Sequence, residues 1–85
     1  MKLLVVEDDR RILTFLKRAL EAEGHHVTVA EDGRDGLERI RGEAFDLVIL
    51  DRMLPYLDGL EVCRVVRRER LPVMILMLTA KDGIQ

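Results

Sequence analysis

The chain has 85 residues, of which 48% are hydrophobic and 4% aromatic, and its formal net charge at pH 7 is -2. This length suits one small domain, and the apolar content is that of a globular protein, which excludes a disordered chain. The nearly balanced charge gives no sign that the whole surface binds nucleic acid or a membrane.

Cysteine content and apolar runs bear on the compartment. The single cysteine, Cys63, cannot form an internal disulfide, which fits a reducing environment. The amino-terminal apolar run meets three acids at positions 7–9, unlike a signal peptide, and the run at 73–78 is too short to cross a bilayer. We therefore expect a soluble cytoplasmic protein.

The first elements of the chain are a strand and a helix. Leu3–Val6 is continuously apolar, which predicts a strand buried on both faces. The helix that follows places Ile12, Phe15 and Ala19 at helical spacing beside three leucines, which predicts a broad apolar face. Gly24 stands where a helix C-cap belongs.

The next pair is less strongly marked. Val27–Ala30 alternates valine with a polar residue, which predicts an edge strand with one solvated face. The helix at Arg34–Arg41 has only Leu37 and Ile40 as apolar anchors, and Gly36 inside it costs about 1 kcal/mol relative to alanine. We expect it to be the softest element.

The last elements are two apolar strands around a third helix. Leu47–Leu50 and Val73–Leu78 predict strands buried on both faces. Between them, Asp58 can cap a helix over residues 60–70, and Pro72 stops that helix.

This alternation of strands and helices predicts an α/β fold, a doubly wound parallel sheet with helices on both faces. Residues 1–85 form one domain, without repeats or linkers. The ligand sites of such sheets lie at the carboxyl ends of the strands.

Acidic residues stand at those carboxyl ends. Glu7 and Asp8 follow the first predicted strand, Asp51 follows the third, and Thr79 closes the fourth. If the first and third strands are neighbours, three carboxylates meet, and their repulsion needs a proton or a cation. An all-oxygen ligand set favours Mg²⁺ over zinc or copper. An aspartate beside such an ion can also attack phosphorus to give an aspartyl phosphate.

Each of these residues has an ordinary structural explanation when it is taken alone. An acid after a strand is usually a turn former or a helix cap, and threonine is a common strand residue. It is the joint placement of the acids at one sheet edge that favours chemistry.

Four motifs together resemble the receiver domain of bacterial two-component response regulators. They are VVEDD at 5–9, LVILD at 47–51, MLP at 53–55 followed by Asp58-Gly59, and MLTA at 77–80. The MLP triplet further resembles the OmpR-type class, the winged-helix transcriptional regulators. The resemblance extends over the whole chain and implies a flavodoxin-like sheet of order 2-1-3-4-5.

The resemblance implies a phosphoacceptor and a metal site. Asp51 would accept a phosphoryl group from a phosphohistidine on a sensor histidine kinase. The side chains of Asp8 and Asp51 would bind Mg²⁺ together with the backbone carbonyl of Met53. Glu7 would complete the acid pocket through water.

The resemblance also implies a switch beside the site. Thr79 would hydrogen-bond the phosphoryl group and shift inward on activation, with the backbone of Ala80 nearby. Pro55 and Gly59 would shape the loop behind the site.

The family continues beyond the point where this chain stops. Its members have a further helix, a fifth strand that ends in a lysine before a proline, and a closing helix, whereas this sequence ends at Gln85. Lys81 does not match that lysine. We therefore expect a receiver domain truncated after the fourth strand, which lacks the last strand and last two helices. It would act on DNA only through an absent output domain.

A missing fifth strand would leave Val73–Leu78 as a bare apolar edge, which favours pairing with another strand. We expect the chain to be part of a longer one or to associate with a second copy, by strand exchange for example.

Two alternatives to a signalling receiver stay open. The chain could be a non-signalling interaction or oligomerisation module that keeps only the fold. It could instead be an aspartyl-phosphate phosphatase, which is disfavoured because Met53 stands where such enzymes place a second acid. A receiver has at most self-phosphorylation and autodephosphorylation activity.

Three smaller features have ordinary explanations. We interpret His25-His26 as polar residues at the start of a strand, and Cys63 as a small hydrophobic residue in the core. The arginines at the end of the third helix are favoured there by the helix dipole and do not indicate nucleic-acid binding: Arg64, Arg67, Arg68 and Arg70.

Overall fold

All seven predicted elements form within residues 1–78, the part of the chain that this computed structural model describes. The strands are β1 (Lys2–Val6), β2 (His26–Ala30), β3 (Leu47–Asp51) and β4 (Met74–Leu78). The helices between them are α1 (Arg10–Ala22), α2 (Gly33–Gly42) and α3 (Gly59–Arg68). Each strand differs from its predicted range by one residue at one end, and Asp51 is the last residue of β3 rather than the first after it.

The strands form one parallel sheet in the order β2-β1-β3-β4. The predicted doubly wound sheet is confirmed, and β2 lies at an edge as its alternating sequence indicates. The two central strands are the most buried, because Leu4, Val5 and Val6 of β1 and Val48 and Leu50 of β3 are fully buried.

Helices cover both faces of the sheet. On one face, α2 and α3 pack over Leu4, Val6, Val48 and Leu50 to form the larger core. On the other, α1 packs over a smaller cluster around Leu3, Val5 and Ile49. The sheet is therefore the middle of three layers, and the ends of its strands are where a site can form.

The apolar face of α1 is only partly buried. Leu13, Leu16 and Leu20 pack against the sheet, whereas Phe15 is 68% exposed and Ile12 is 36% exposed. The predicted broad face is thus wider than the surface that α1 covers, since α1 lies mainly over β1 and β2. The helix ends as predicted, with Gly24 at a φ of +91° just beyond it.

Close packing explains the glycine inside α2. A Cβ at Gly36 would lie 2.9 Å and 3.0 Å from the two methyl carbons of Val6 on β1. The missing side chain therefore lets α2 approach the central strand, which offsets the helix propensity that glycine loses. Asp32 caps the helix by accepting a hydrogen bond of 2.7 Å from the Asp35 N–H.

The expectation that β4 is buried on both faces is wrong within residues 1–78. Ile75 and Met77 pack against the core formed with α2 and α3, but Met74 is 70% exposed and Leu76 is 53% exposed. The cause is the position of α1, which covers β1 and β2 and leaves Met74 and Leu76 in solvent.

The third helix ends two residues earlier than predicted, at Arg68. Arg70 takes a left-handed conformation, with φ of +58°, and the Leu71 N–H bonds back to the Val66 carbonyl at 3.1 Å. This is the usual way to close a helix, although glycine is the residue that normally fills that position. Pro72 lies beyond the stop and does not cause it.

Two arginines of this helix make contacts within the domain. Arg64 pairs with Glu61 at 2.8 Å, and the Arg67 guanidinium donates to the Val73 carbonyl at 3.1 Å. Cys63 is half-buried, and burial raises the pKa of its thiol, as expected of a structural cysteine. No helix within residues 1–78 combines the length and apolar character that a membrane crossing requires.

Candidate metal and phosphoacceptor site

The pairing of β1 with β3 determines the position of the acids. These strands are parallel and in register, with Val6 opposite Leu50, so the next residue of each strand falls at the same sheet edge. Those next residues are Glu7 and Asp51. The backbone N–H of Glu7 also bonds to the Ala30 carbonyl of β2 at 3.0 Å, which fixes the chain as it leaves β1.

Three acidic side chains meet at this edge. Glu7, Asp8 and Asp51 each offer a carboxylate oxygen, and these oxygens lie within 4.8 Å of one another. Glu7 is buried with 4% exposure, Asp51 is half-buried and Asp8 is exposed. One face of the cluster is therefore packed against protein and the other is open to solvent.

Burial and neighbouring negative charges both act to raise the pKa of Glu7. The pKa of Glu7 is raised above its ordinary value of 4.5, first by burial and then by the charges of Asp51 and Asp8. A hydrogen bond of 2.9 Å from the Asp9 N–H to the Glu7 carboxylate partly opposes this shift by stabilising the charged form. The cluster thus holds negative charge at an energetic cost that a cation would relieve.

The neighbouring acid, Asp9, has a separate task. Its carboxylate caps α1 by accepting hydrogen bonds from the N–H groups of Arg11, at 2.9 Å, and Ile12, at 3.4 Å. The sequence holds a signal for this role, because Asp9 stands directly before the helix as an N-cap does. The run EDD is therefore two cluster acids followed by a cap.

The loop of residues 52–58 connects Asp51 to α3. Met53 lies two residues after Asp51, with its side chain 65% exposed, and its N–H lies 3.5 Å from the Asp51 carboxylate. The loop closes where the Gly59 N–H donates to the Arg52 carbonyl at 2.8 Å. Thr79 and Ala80, the two predicted residues of the switch, lie outside the described residues.

The ligand chemistry at this edge fits a small divalent cation. All the donors in the cluster are carboxylate oxygens, which Mg²⁺ prefers and which soft metals do not. The open side, toward Asp8, leaves room for the water ligands that Mg²⁺ usually keeps.

Comparison with known proteins places this geometry in a family. The response regulator receiver domain family matches residues 3–85, which is nearly the whole chain. The chain belongs to the response regulator receiver domain family. Its acids at the carboxyl ends of β1 and β3 are thus at the sheet edge where the sequence motifs indicated a site.

Relatives of known sequence refine this assignment. The chain is 49% identical over 81 residues to the alkaline phosphatase synthesis transcriptional regulatory protein PhoP of Bacillus subtilis, covering 95% of this chain and 34% of that protein. Such relatives are OmpR-type regulators, so the resemblance to that class is confirmed. The chain spans about a third of the length of the curated relatives it matches.

Solved receiver structures share the fold. The Francisella response regulator 1452 receiver domain superposes with a TM-score of 0.92 at 35% identity, covering 98% of this chain and 69% of that one. The response regulator TrrA of Thermotoga maritima, solved in complex with Mg²⁺-BeF, gives a TM-score of 0.89 at 36% identity, covering 99% and 73%.

The raised pKa of Glu7 leads to a pH-dependent prediction. A group with a raised folded-state pKa contributes stability below its unfolded value, and that contribution is lost as pH rises through the folded-state pKa. Glu7→Gln removes the ionisation and keeps a hydrogen-bond acceptor for the Asp9 N–H. In metal-free protein, we expect the variant to match the wild type below pH 4.5 and to become increasingly more stable above it.

Urea unfolding in the presence of a chelator, repeated across this pH range, measures the effect. Glu38→Gln is the matched control, because Glu38 is exposed on α2 and outside the cluster. A stability difference for Glu7→Gln that does not change with pH would contradict the electrostatic account of the cluster.

Proposed function

We propose that this chain accepts a phosphoryl group on Asp51 from the phosphohistidine of a sensor histidine kinase, in a Mg²⁺-dependent reaction. The observation that carries the proposal is the meeting of Glu7, Asp8 and Asp51 within 4.8 Å at one end of a receiver-family sheet. The outcome of the transfer would be control of transcription, as the names of the relatives suggest.

The position of Asp51 suits a nucleophile. Its backbone is held in β3, in register with Leu78 of β4, so the carboxylate has a fixed origin. Within residues 1–78, the one hydrogen bond that its side chain accepts comes from the Met53 N–H at the long distance of 3.5 Å. The carboxylate oxygens are therefore little engaged and available to attack phosphorus.

The acids around Asp51 would hold Mg²⁺, which supplies neutralisation of the charge on the transferring phosphoryl group. Asp8 and Asp51 would bind it by their side chains and Met53 by its backbone carbonyl, while Glu7 would act through water. The complex of Thermotoga TrrA with Mg²⁺-BeF, at 36% identity, supports a Mg²⁺ site in a receiver of this kind.

Two further roles rest on the family resemblance. Thr79 would donate a hydrogen bond to the phosphoryl group and move inward on activation, and the backbone of Ala80 would lie beside it. Both follow β4 directly in the sequence, and the last residue of β4, Leu78, lies opposite Asp51.

The rest of the system is also a proposal. Because the chain spans about a third of its relatives, a DNA-binding output domain would belong to the remainder of such a protein. A regulator of this kind would work in the cytoplasm, with the kinase and DNA as its partners. The relatives give no support to a non-signalling module.

Phosphorylation by a small-molecule donor tests the proposal. Incubation with acetyl phosphate and Mg²⁺ should add the mass of one phosphoryl group to the wild type, read by intact mass spectrometry. Asp51→Asn should prevent the addition, because an amide cannot form the aspartyl phosphate. Omission of Mg²⁺ should greatly slow it.

Asp9→Asn is the matched control, since it makes the same chemical change two positions after Glu7 but keeps a good helix cap. It should be phosphorylated like the wild type. An adduct on Asp51→Asn, or no adduct on a folded wild type that binds Mg²⁺, would contradict the assignment of Asp51.

We also propose that the 85-residue chain, expressed alone, associates with a second copy through β4. Met74 and Leu76 expose most of their apolar surface, and no strand within residues 1–78 pairs with the outer edge of β4. Exposed apolar edges of this kind favour strand pairing between molecules.

Sedimentation velocity of this 85-residue chain tests the association. The wild type should form dimers or larger species, and Leu76→Lys should shift it toward the monomer, because a charge on an edge strand opposes pairing. Phe15→Lys serves as a control, since Phe15 is more exposed than Leu76 but lies on α1. A monodisperse wild-type monomer would refute this proposal.

A further inference from the structure

The loop of residues 52–58 rests against the first residue of α2. Gly33, although at a helix start, is buried, and its N–H points to the Pro55 carbonyl at 3.4 Å. A Cβ at Gly33 would overlap the carbonyl oxygen of Leu57 and lie 2.7 Å from its carbonyl carbon. The contact is therefore between two backbones, and neither side can yield by a change of side-chain rotamer.

A side-chain contact lies beside this backbone contact. The Arg34 guanidinium stacks over the Tyr56 ring, 5.4 Å from its centroid. Tyr56 takes a left-handed conformation, with φ of +69°, and the Leu57 N–H bonds across it to the Pro55 carbonyl at 2.7 Å. Such a conformation is uncommon for a tyrosine, so it persists only where its surroundings hold it.

The rest of the loop is fixed as well. Leu54 is 9% exposed and belongs to the core under α2 and α3, and Leu57 packs against that core. At the far end, the Gly59 N–H bonds to the Arg52 carbonyl at 2.8 Å. Between Asp51 and the anchored Leu54, the side chain of Met53 is exposed, and within residues 1–78 its one hydrogen bond is the long contact of 3.5 Å with the Asp51 carboxylate.

We propose that Gly33 is a positioning residue for the metal site, acting through the loop on the backbone carbonyl of Met53. The inference rests on the proposed function, because it takes that carbonyl as a ligand of Mg²⁺. Pro55 has a fixed φ, and Leu54 and Leu57 are anchored in the core. A displacement of the Leu57 backbone can therefore be absorbed by only a few backbone torsions of the loop. The displacement is taken up between Asp51 and Leu54, where Met53 lies.

The first test is Gly33→Ala in the whole chain, with Mg²⁺ binding measured by titration calorimetry using MgCl₂ alone. Residues that orient metal ligands typically change affinity by roughly 10- to 100-fold when they are altered. We expect Mg²⁺ to bind about 10-fold more weakly or worse. Circular dichroism should show a wild-type fold, and amide NMR should show an altered Met53 signal.

Gly42→Ala is the matched control for this variant. It makes the same substitution at the other end of α2, where a Cβ would meet nothing within 4 Å. Its Mg²⁺ affinity should equal that of the wild type. Equal weakening in both variants would mean that α2 as a whole is responsible and would overturn the role of Gly33.

A second pair of variants tests the effect of the loop on Mg²⁺ binding if Gly33→Ala does not fold. Tyr56→Ala removes the ring that the Arg34 guanidinium faces and should weaken Mg²⁺ binding by up to about five-fold, the full worth of an exposed cation–π contact. Tyr56→Phe keeps the ring and should restore wild-type affinity. Unchanged binding in Tyr56→Ala would overturn the inference.

The outcomes separate this inference from the proposal on which it rests. A folded wild type that fails to bind Mg²⁺ removes the metal site itself, and the inference with it. A wild type that binds Mg²⁺, together with a folded Gly33→Ala variant of equal affinity, leaves the metal site intact and refutes only the positioning role.

Discussion

The parallel, in-register pairing of β1 with β3 is the constraint on which the rest of the structure depends. Both strands are almost completely shielded from solvent, so a slip by one residue would turn apolar side chains away from the faces they fill. The same register places Glu7 beside Asp51 at the sheet edge. Core packing and the acid cluster are therefore consequences of one arrangement, and the hydrophobic energy of the core holds together charges that repel each other.

The sheet alone does not fix the position of every group at the site, and the loop after β3 adds a second constraint. Its residues are fixed by the apolar core through Leu54 and by close backbone contact with Gly33. A rigid strand on one side of Asp51 and an anchored loop on the other hold this carboxylate in place, as the proposed cation site requires. Such preorganisation lowers the cost of binding, because fewer torsions must be ordered when the ligand arrives.

Much of the fold followed from sequence patterns, because continuous apolar runs and helical spacing report burial directly. The pairing of the first and third strands was expected only from fold-level rules and resemblance, and the structure supplies it. Burial on both faces of β4 was predicted wrongly, since burial also depends on which helix covers a strand. The exposure of Phe15 has the same origin. The contact of Gly33 with Leu57 joins segments distant in sequence, and no local pattern signals it.

A double-mutant cycle on Asp8 and Asp51 tests most directly whether the strand register forces these charges together. Free energies of unfolding would be measured by urea denaturation in metal-free protein for Asp8→Asn, Asp51→Asn and the double variant. If the carboxylates repel as their separation implies, each single variant has a larger free energy of unfolding than the wild type. The increase in the double variant is then smaller than the sum of the two single increases, by about 0.5 kcal/mol or more. Strictly additive changes would show that the two charges do not interact and would contradict the account of the site.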